Sequence, residues 1–256
     1  METYAVLALL VPLLHLCWLD YKAFLALGPG GTPSTILGYL RVKTLGLFAL
    51  QNPHKPGPTP RELQGTAGHL QSLPQRKGSK PVTKGIAPHR QVTQRAGLDA
   101  YRLLEAAIHR IGQESEWLHI GTSCFEKHGT GLFSRSPTQK TCLGEICHTH
   151  PSDGSMHLTL HPKDVKIVLE AGWGERHPLA RGGWFERFVP AGFMMIYAPA
   201  TPEDVEVLMK IVEAAVWFVS GRKVARRGGR EVQQRGYEVC YAHSGDGGQE
   251  LRRHWQ

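Results

Sequence analysis

The chain has 256 residues, 41% hydrophobic and 20% charged, with a formal net charge of +8, a balance that supports one sizeable core plus appendages. The basic surplus clusters at 77–95 and 221–230 with no zinc-finger, RRM-like or other nucleic-acid motif, so these stretches read as solvated or membrane-facing and nucleic acid is not an expected partner. No G-x-G-x-x-G, Walker A or G-x-S-x-G sequence is present, which leaves nucleotide binding, flavin or nicotinamide chemistry and serine hydrolysis without support.

Residues 3–19 are almost uninterruptedly apolar despite Pro12 and His15. A helix of about 17–20 residues spans roughly a 30 Å hydrocarbon core. The chain opens Met1-Glu2 without a positive n-region, and no small-residue cleavage site follows. Trp18, Tyr21 and Lys22 suit a membrane interface. The expectation is a single-pass N-terminal anchor over 1–22, in an endomembrane, with a buried N-terminal helix as the alternative. Residues 23–97 read as an amphipathic segment at 36–50, a Pro-rich linker at 51–60 and an extended, basic stretch at 68–95 that wraps a domain.

The compact part is expected at 98–220. Leu103, Leu104, Ala107, Ile108 and Ile111 recur at helical spacing. Strands follow at 117–125 and 131–133, then a hairpin, then a helix opened by Pro162 and stopped at Gly172. A strand at 193–197 precedes Thr201-Pro202-Glu203-Asp204, which combines an N-cap, Pro at N1 and an acid at N3 and starts a helix to about Val219. The order α-β-β-β-β-α-β-α favours α+β with a mainly antiparallel sheet packed with helices. Residues 221–256 read as a basic, disordered tail. The five cysteines, Cys17, Cys124, Cys142, Cys147 and Cys240, form no C-x-x-C pair and are odd in number, which predicts reduced, structural thiols. Cys142 and Cys147, flanking the histidine stretch, are alternative soft metal ligands.

Five of the fourteen histidines, His148, His150, His157, His161 and His177, fall in the stretch 145–179. Pro151-Ser152-Asp153-Gly154 separates two strand-like runs, and Asp-Gly is a strong hairpin signal. A two-residue loop sets His150 opposite His157, and a four-residue loop sets His148 opposite His157. Either register puts all three imidazoles on one face and Leu158 and Leu160 on the other, unless a bulge intervenes. Three convergent imidazoles with His177 make either a metal-free acid/base pocket or a metal site of His148, His150 and His157, with Glu145 or Glu175 as the carboxylate. Local hydrogen bonding along the sheet is the bland alternative. Arg176 is a candidate to hold an enolate or carboxylate by charge-assisted hydrogen bonds. Trp173, Glu175 and Tyr197 are candidate substrate contacts, with core filling the commoner fate of such aromatics.

The runs His148-Thr149-His150, Ser155-Met156-His157-Leu158-Thr159-Leu160, Gly172 to Ala180 (GWGERHPLA) and Tyr197-Ala198-Pro199 resemble the fungal luciferase family, as do Asp20-Tyr21, Gly28-Pro29, Leu73-Pro74 and His89-Arg90-Gln91 upstream. The similarity covers residues 1–222. It implies a membrane-associated oxygenase that needs no flavin, nucleotide or other organic cofactor and uses O2 as co-substrate. In the luminescent members a hydroxylated styryl-pyrone, 3-hydroxyhispidin, loses a proton to a protein base, the enolate reacts with O2, and loss of CO2 leaves an excited product that emits light. The alternatives are a non-luminescent relative that binds a small aromatic metabolite at a membrane, and a His-ligated metal enzyme. Residues after Arg222 match nothing in the family pattern, and 182–188 are more aromatic than the luminescent members would suggest.

Overall fold

The computed structural model describes residues 2–224. A six-stranded, wholly antiparallel sheet carries the histidine hairpin at its centre, in the order β3 (Leu118–Thr122), β4 (Thr130–Ser134), β5 (Glu145–Thr149), β6 (Met156–Thr159), β8 (Phe193–Ile196) and β7 (Gly174–Arg176). A separate two-stranded hairpin, β1 (Thr83–Gly85) with β2 (His89–Gln91), comes from the upstream stretch. The protein is thus α+β with a mainly antiparallel sheet.

The hairpin takes the longer-loop register: His148 pairs with His157, Cys147 with Leu158 and Thr149 with Met156. Gly154 adopts a left-handed φ of 78° in the turn, a conformation glycine reaches without Cβ strain. The irregularity that could have scrambled the faces lies between β4 and β5, at Leu132 and Phe133, and spares the hairpin. Because side chains alternate, one cross-sheet row reads Gly131, His148, His157, Met195 and Glu175, while the adjacent row, Leu132, Cys147, Leu158, Met194 and Arg176, faces away.

That second face is the main core. Leu158, Leu160, Met194 and Ile196 meet α3 (Leu98–Glu114), α4 (Pro162–Glu170) and α5 (Pro202–Ser220) there. Helix α3 buries Leu104, Ala107 and Ile108, one stripe of its surface. It approaches β3 so closely at Gly112 that a Cβ would lie 2.7 Å from the Ile120 side chain. Pro162 opens α4, with His161 as its N-cap accepting from Lys163 N at 3.2 Å. The Asp204 carboxylate accepts from Ala200 N and Thr201 N and holds the start of α5, satisfying donors that a helix terminus otherwise leaves free.

At the N-terminus, α1 (Glu2–Leu25) is followed by α2 (Ile36–Gly46), which crosses its C-terminal end through Tyr39 and Lys43 bonded to Asp20. Gly174–Arg176 form the edge strand β7, hydrogen-bonded to β8. The expectation for the cysteines is corrected. Cys124 and Cys142 are joined in a disulfide and so are neither free thiols nor soft metal ligands, whereas Cys147 is a free thiol buried on the core face. The basic tail lies outside the described residues from 225 onward.

Candidate functional site

The histidine-bearing face is covered by β2 and by the loop between β3 and β4, and both add groups to it. His148, His150, His157 and His177 converge there with His89 from β2, all five imidazoles buried. His161 does not join them. Its Nε2 meets Thr66 Oγ1 at 2.9 Å beside α4.

Four contacts link three of these rings between two carboxylates. Glu145 Oε1 is 2.5 Å from His148 Nδ1, His148 Nε2 is 3.2 Å from His157 Nδ1, His157 Nε2 is 3.2 Å from His89 Nδ1, and His89 Nε2 is 3.3 Å from Glu175 Oε1. Each carboxylate is anchored in turn. Glu145 accepts from Ser123 Oγ at 2.9 Å and from the backbone N–H groups of Cys124 and Phe125 at 2.5 and 3.2 Å. Glu175 accepts from Thr83 Oγ1 at 2.6 Å and Tyr197 Oη at 2.8 Å. Burial raises the Glu175 pKa, but the hydrogen bond and charge of His89, with Thr83 and Tyr197, outweigh it and leave it below the usual value.

The proton inventory of this chain is informative. A neutral imidazole carries one N–H. Three neutral rings therefore supply three protons to four junctions, and one junction must set lone pair against lone pair unless a further positive charge is present. Burial, followed by the neighbouring imidazoles, pushes His157 well below the ordinary histidine range, and burial followed by Arg90 does the same to His150. His148 and His89 are the two rings in contact with a carboxylate.

Two further groups complete the site. Glu126, buried in the β3–β4 loop, is held by the Arg90 guanidinium and sets Oε1 3.9 Å from Nε2 of both His148 and His150. His150 Nδ1 meets Ser155 Oγ at 2.8 Å, while its Nε2 has no hydrogen-bond partner among the described residues. His177 is fully committed. Its Nε2–H donates to Ile86 O at 2.9 Å, its Nδ1 accepts from Leu179 N at 3.2 Å, and burial with His89 nearby lowers its pKa to about 3. It lines the site but has no lone pair for a substrate proton.

The other sequence candidates distribute by sheet geometry. Glu175 faces the cluster, so Arg176, one residue on, faces away. Its guanidinium donates to Ala180 O and Lys55 O and ties down the Pro-rich segment. Trp173 is core, its Nε1–H donating to Pro74 O at 2.7 Å. Arg176 as an enolate clamp and Trp173 as a substrate contact are thereby corrected. Tyr197 acts through Glu175. His89 and Glu126 are the residues the sequence reading missed as site members.

A cavity of about 130 Å³ reaches the cluster and is lined by His148, His157, His177, Glu126, Phe125 and Phe193, with Arg41 and Leu45 of α2 also on its wall. Phe193 stacks on His157 with ring centroids 5.0 Å apart and contacts Phe125 at 4.5 Å. A second cavity, about 510 Å³, lies between 67–71 and Trp217 and shares no residue with the cluster.

The fold is thus antiparallel α+β, with a buried, carboxylate-anchored histidine cluster under an aromatic pocket. The sequence model of the Luciferase domain matches residues 143–215. Luciferases of Armillaria mellea and Neonothopanus nambi are 32% and 30% identical over 218 residues, covering 78% of this chain and 80% of each relative. The Armillaria ostoyae luciferase is similar at 31% over the same spans. No solved structure matches. The chain belongs to the fungal luciferase family, and its function is luciferase-like.

Proposed function

We propose that the chain is a membrane-anchored oxygenase that deprotonates the acidic hydroxyl of a 3-hydroxyhispidin-type pyrone, or a related phenolic or polyketide metabolite, and lets the resulting enolate react with O2. The observation that carries this reading is the proton-deficient chain from Glu145 through His148, His157 and His89 to Glu175 at the pocket floor. A hydroxyl over His148 and His157 meets lone pairs, and the proton it gives up is stabilised as an imidazolium between two carboxylates. Phe125 and Phe193 supply flat walls for a conjugated ring, and the buried surroundings keep water from the enolate. The cavity is smaller than the roughly 300 Å³ of an ordinary ligand site. It therefore takes the pyrone end, leaving the rest of the molecule towards Phe188 and α2. No organic cofactor enters this scheme, and O2 is the oxidant.

The membrane assignment rests on α1. Its stretch Ala8–Leu25 is long and apolar enough to cross a membrane and is almost wholly exposed. Exposed Ile36, Leu37, Leu40, Leu47 and Phe48 continue the apolar surface along and just past α2, next to the pocket wall formed by Arg41 and Leu45. The Cys124–Cys142 disulfide suits an oxidising compartment, which supports a lumenal catalytic domain on an endomembrane.

The test compares 3-hydroxyhispidin with hispidin, which lacks the reacting hydroxyl. The expected result is O2 uptake stoichiometric with the first and none with the second. Retention of both ligands, bound and chemically unchanged, would refute catalysis and leave a metabolite-binding protein.

A further inference from the structure

We propose that Glu126, His148, His150 and His157 form a site for one first-row divalent transition-metal ion. One carboxylate oxygen of Glu126 and one nitrogen of each imidazole all lie within 4.8 Å of one another and all four side chains are buried. Donors about 2.0–2.2 Å from a tetrahedral ion stand about 3.4 Å apart. The His148 Nε2 to His157 Nδ1 separation is 3.2 Å, and Glu126 Oε1 is 3.9 Å from Nε2 of His148 and of His150.

Three independent features point to an ion. First, each ring is fixed by its far nitrogen, as metal-ligating histidines usually are: His148 Nδ1 by Glu145, His150 Nδ1 by Ser155 Oγ, and His157 Nε2 by His89, itself held on Glu175. Second, His150 Nε2 is buried, aimed at Glu126 and without a hydrogen-bond partner among the described residues, and a buried polar atom of this kind costs about 1–3 kcal/mol unless something satisfies it. Third, an ion closes the proton inventory. With His148 Nε2 and His157 Nδ1 both directed at a cation, that junction needs no proton. His148 Nδ1–H then donates to Glu145, His157 Nε2–H to His89 Nδ1, and His89 Nε2–H to Glu175. Three neutral rings satisfy every remaining junction.

The set of three imidazole nitrogens and one carboxylate oxygen suits iron, manganese, cobalt, nickel or zinc, and disfavours magnesium and calcium. Arg90 grips Glu126 mainly through Oε2, which leaves Oε1 towards the rings. The second trio, His89, His157 and His177, does not serve, because both ring nitrogens of His177 are already engaged.

This inference goes beyond the reading above and rests on it only for which molecule enters the pocket. The ion-bound and proton-accepting forms are alternatives: loaded, His148 and His157 would have no lone pair left for a proton, and the four residues would hold a positive charge suited to a substrate oxygen that enters already ionised.

The experiment uses full-length, tag-free protein in detergent, stripped with dipicolinate and titrated with cobalt(II). Visible absorption reports the ligand field, and elemental analysis reports the stoichiometry. One cobalt per chain is expected, displaced by zinc and not by magnesium. His150→Ala and Glu126→Gln each weaken binding by at least about 100-fold and Ser155→Ala by about 10-fold, whereas His119→Ala, outside the cluster, leaves it unchanged. Absence of a cobalt spectrum in the wild-type chain would overturn the proposal without reference to any variant, as would unaltered affinity in His150→Ala and Glu126→Gln. Full O2 uptake by stripped protein that takes up no cobalt removes the ion and leaves the oxygenase reading standing. Stoichiometric cobalt binding without O2 uptake does the reverse.

Discussion

Tyr197→Phe isolates one bond at the end of the histidine chain. The ring stays, its site is fully buried, and only the hydroxyl that donates to Glu175 Oε2 at 2.8 Å is lost. His89 and Thr83 both address Oε1, so the substitution leaves Oε2 with no hydrogen bond from either. A hydrogen bond to a charged group contributes about 1.5–3 kcal/mol, and a buried oxygen left without a partner puts the loss near the upper end. At about 2–4 °C per kcal/mol for a chain of this size, melting should fall by about 5–10 °C. Thermal unfolding in detergent, followed by near-ultraviolet circular dichroism, gives the readout. Tyr101→Phe is the comparison, since its hydroxyl makes only bonds of 3.3 and 3.5 Å, and a loss under about 1 kcal/mol is expected. The Glu175 pKa lies below its ordinary value, so the stability it contributes is complete above the unfolded pKa near 4.5 and lost as the pH falls through the folded one. The gap between wild type and Tyr197→Phe should therefore narrow towards pH 3. An unchanged melting temperature at pH 7 would refute the claim that Glu175 is an ionised, buried anchor for His89.

His177, with a pKa lowered from 6.5 to about 3, stabilises the fold fully above pH 6.5 and progressively less as the pH falls towards 3. From pH 6.5 to 5 this loss is about 2 kcal/mol, and denaturant titrations of His177→Gln should show a correspondingly flatter pH dependence. An identical slope would contradict the assignment. The disulfide Cys124–Cys142 closes a loop of sequence separation 18, and Cys142→Ser should cost about 3 kcal/mol in urea unfolding. Phe188, half-buried at the pocket wall, should raise KM about fivefold when changed to Ala, a loss of about 1 kcal/mol of apolar contact, with kcat preserved. Steady-state O2 uptake would reveal a kcat effect if Phe188 acts on chemistry instead.

Much of the site was legible because it sits on a hairpin. Asp153-Gly154 marked the turn, period-two alternation put His148 and His157 on one face, and Leu158 and Leu160 identified the opposite face as core. Pro162 and the Thr201-Pro202-Glu203-Asp204 run likewise located α4 and α5. Local pattern fails where a group arrives from elsewhere in the chain. His89 stands 68 positions before His157, in a three-residue strand too short to show periodicity. Glu126 lies in a loop, where no period applies. The one available signal for His89 was the polar triplet His89-Arg90-Gln91 among the fragments carrying the family resemblance. All three of its side chains are buried, against His157, Glu126 and the backbone of Ala198 respectively. Arg176 and Trp173 were misplaced for a related reason. Only the pairing of β7 with β8 reveals that Glu175 and Arg176 point to opposite faces.

The central claim is that the buried histidine chain carries out O2-dependent oxidation of an acidic hydroxypyrone. Simultaneous O2-electrode and photon-counting measurements on full-length protein with 3-hydroxyhispidin test it most directly, with His157→Gln and heat-inactivated protein alongside. The account predicts O2 uptake by the wild-type chain, reduced about 100- to 10,000-fold in folded His157→Gln as expected for loss of a positioned acid/base group, with light as the sign of an excited product. Undiminished uptake by His157→Gln, or none by the wild type, would contradict it.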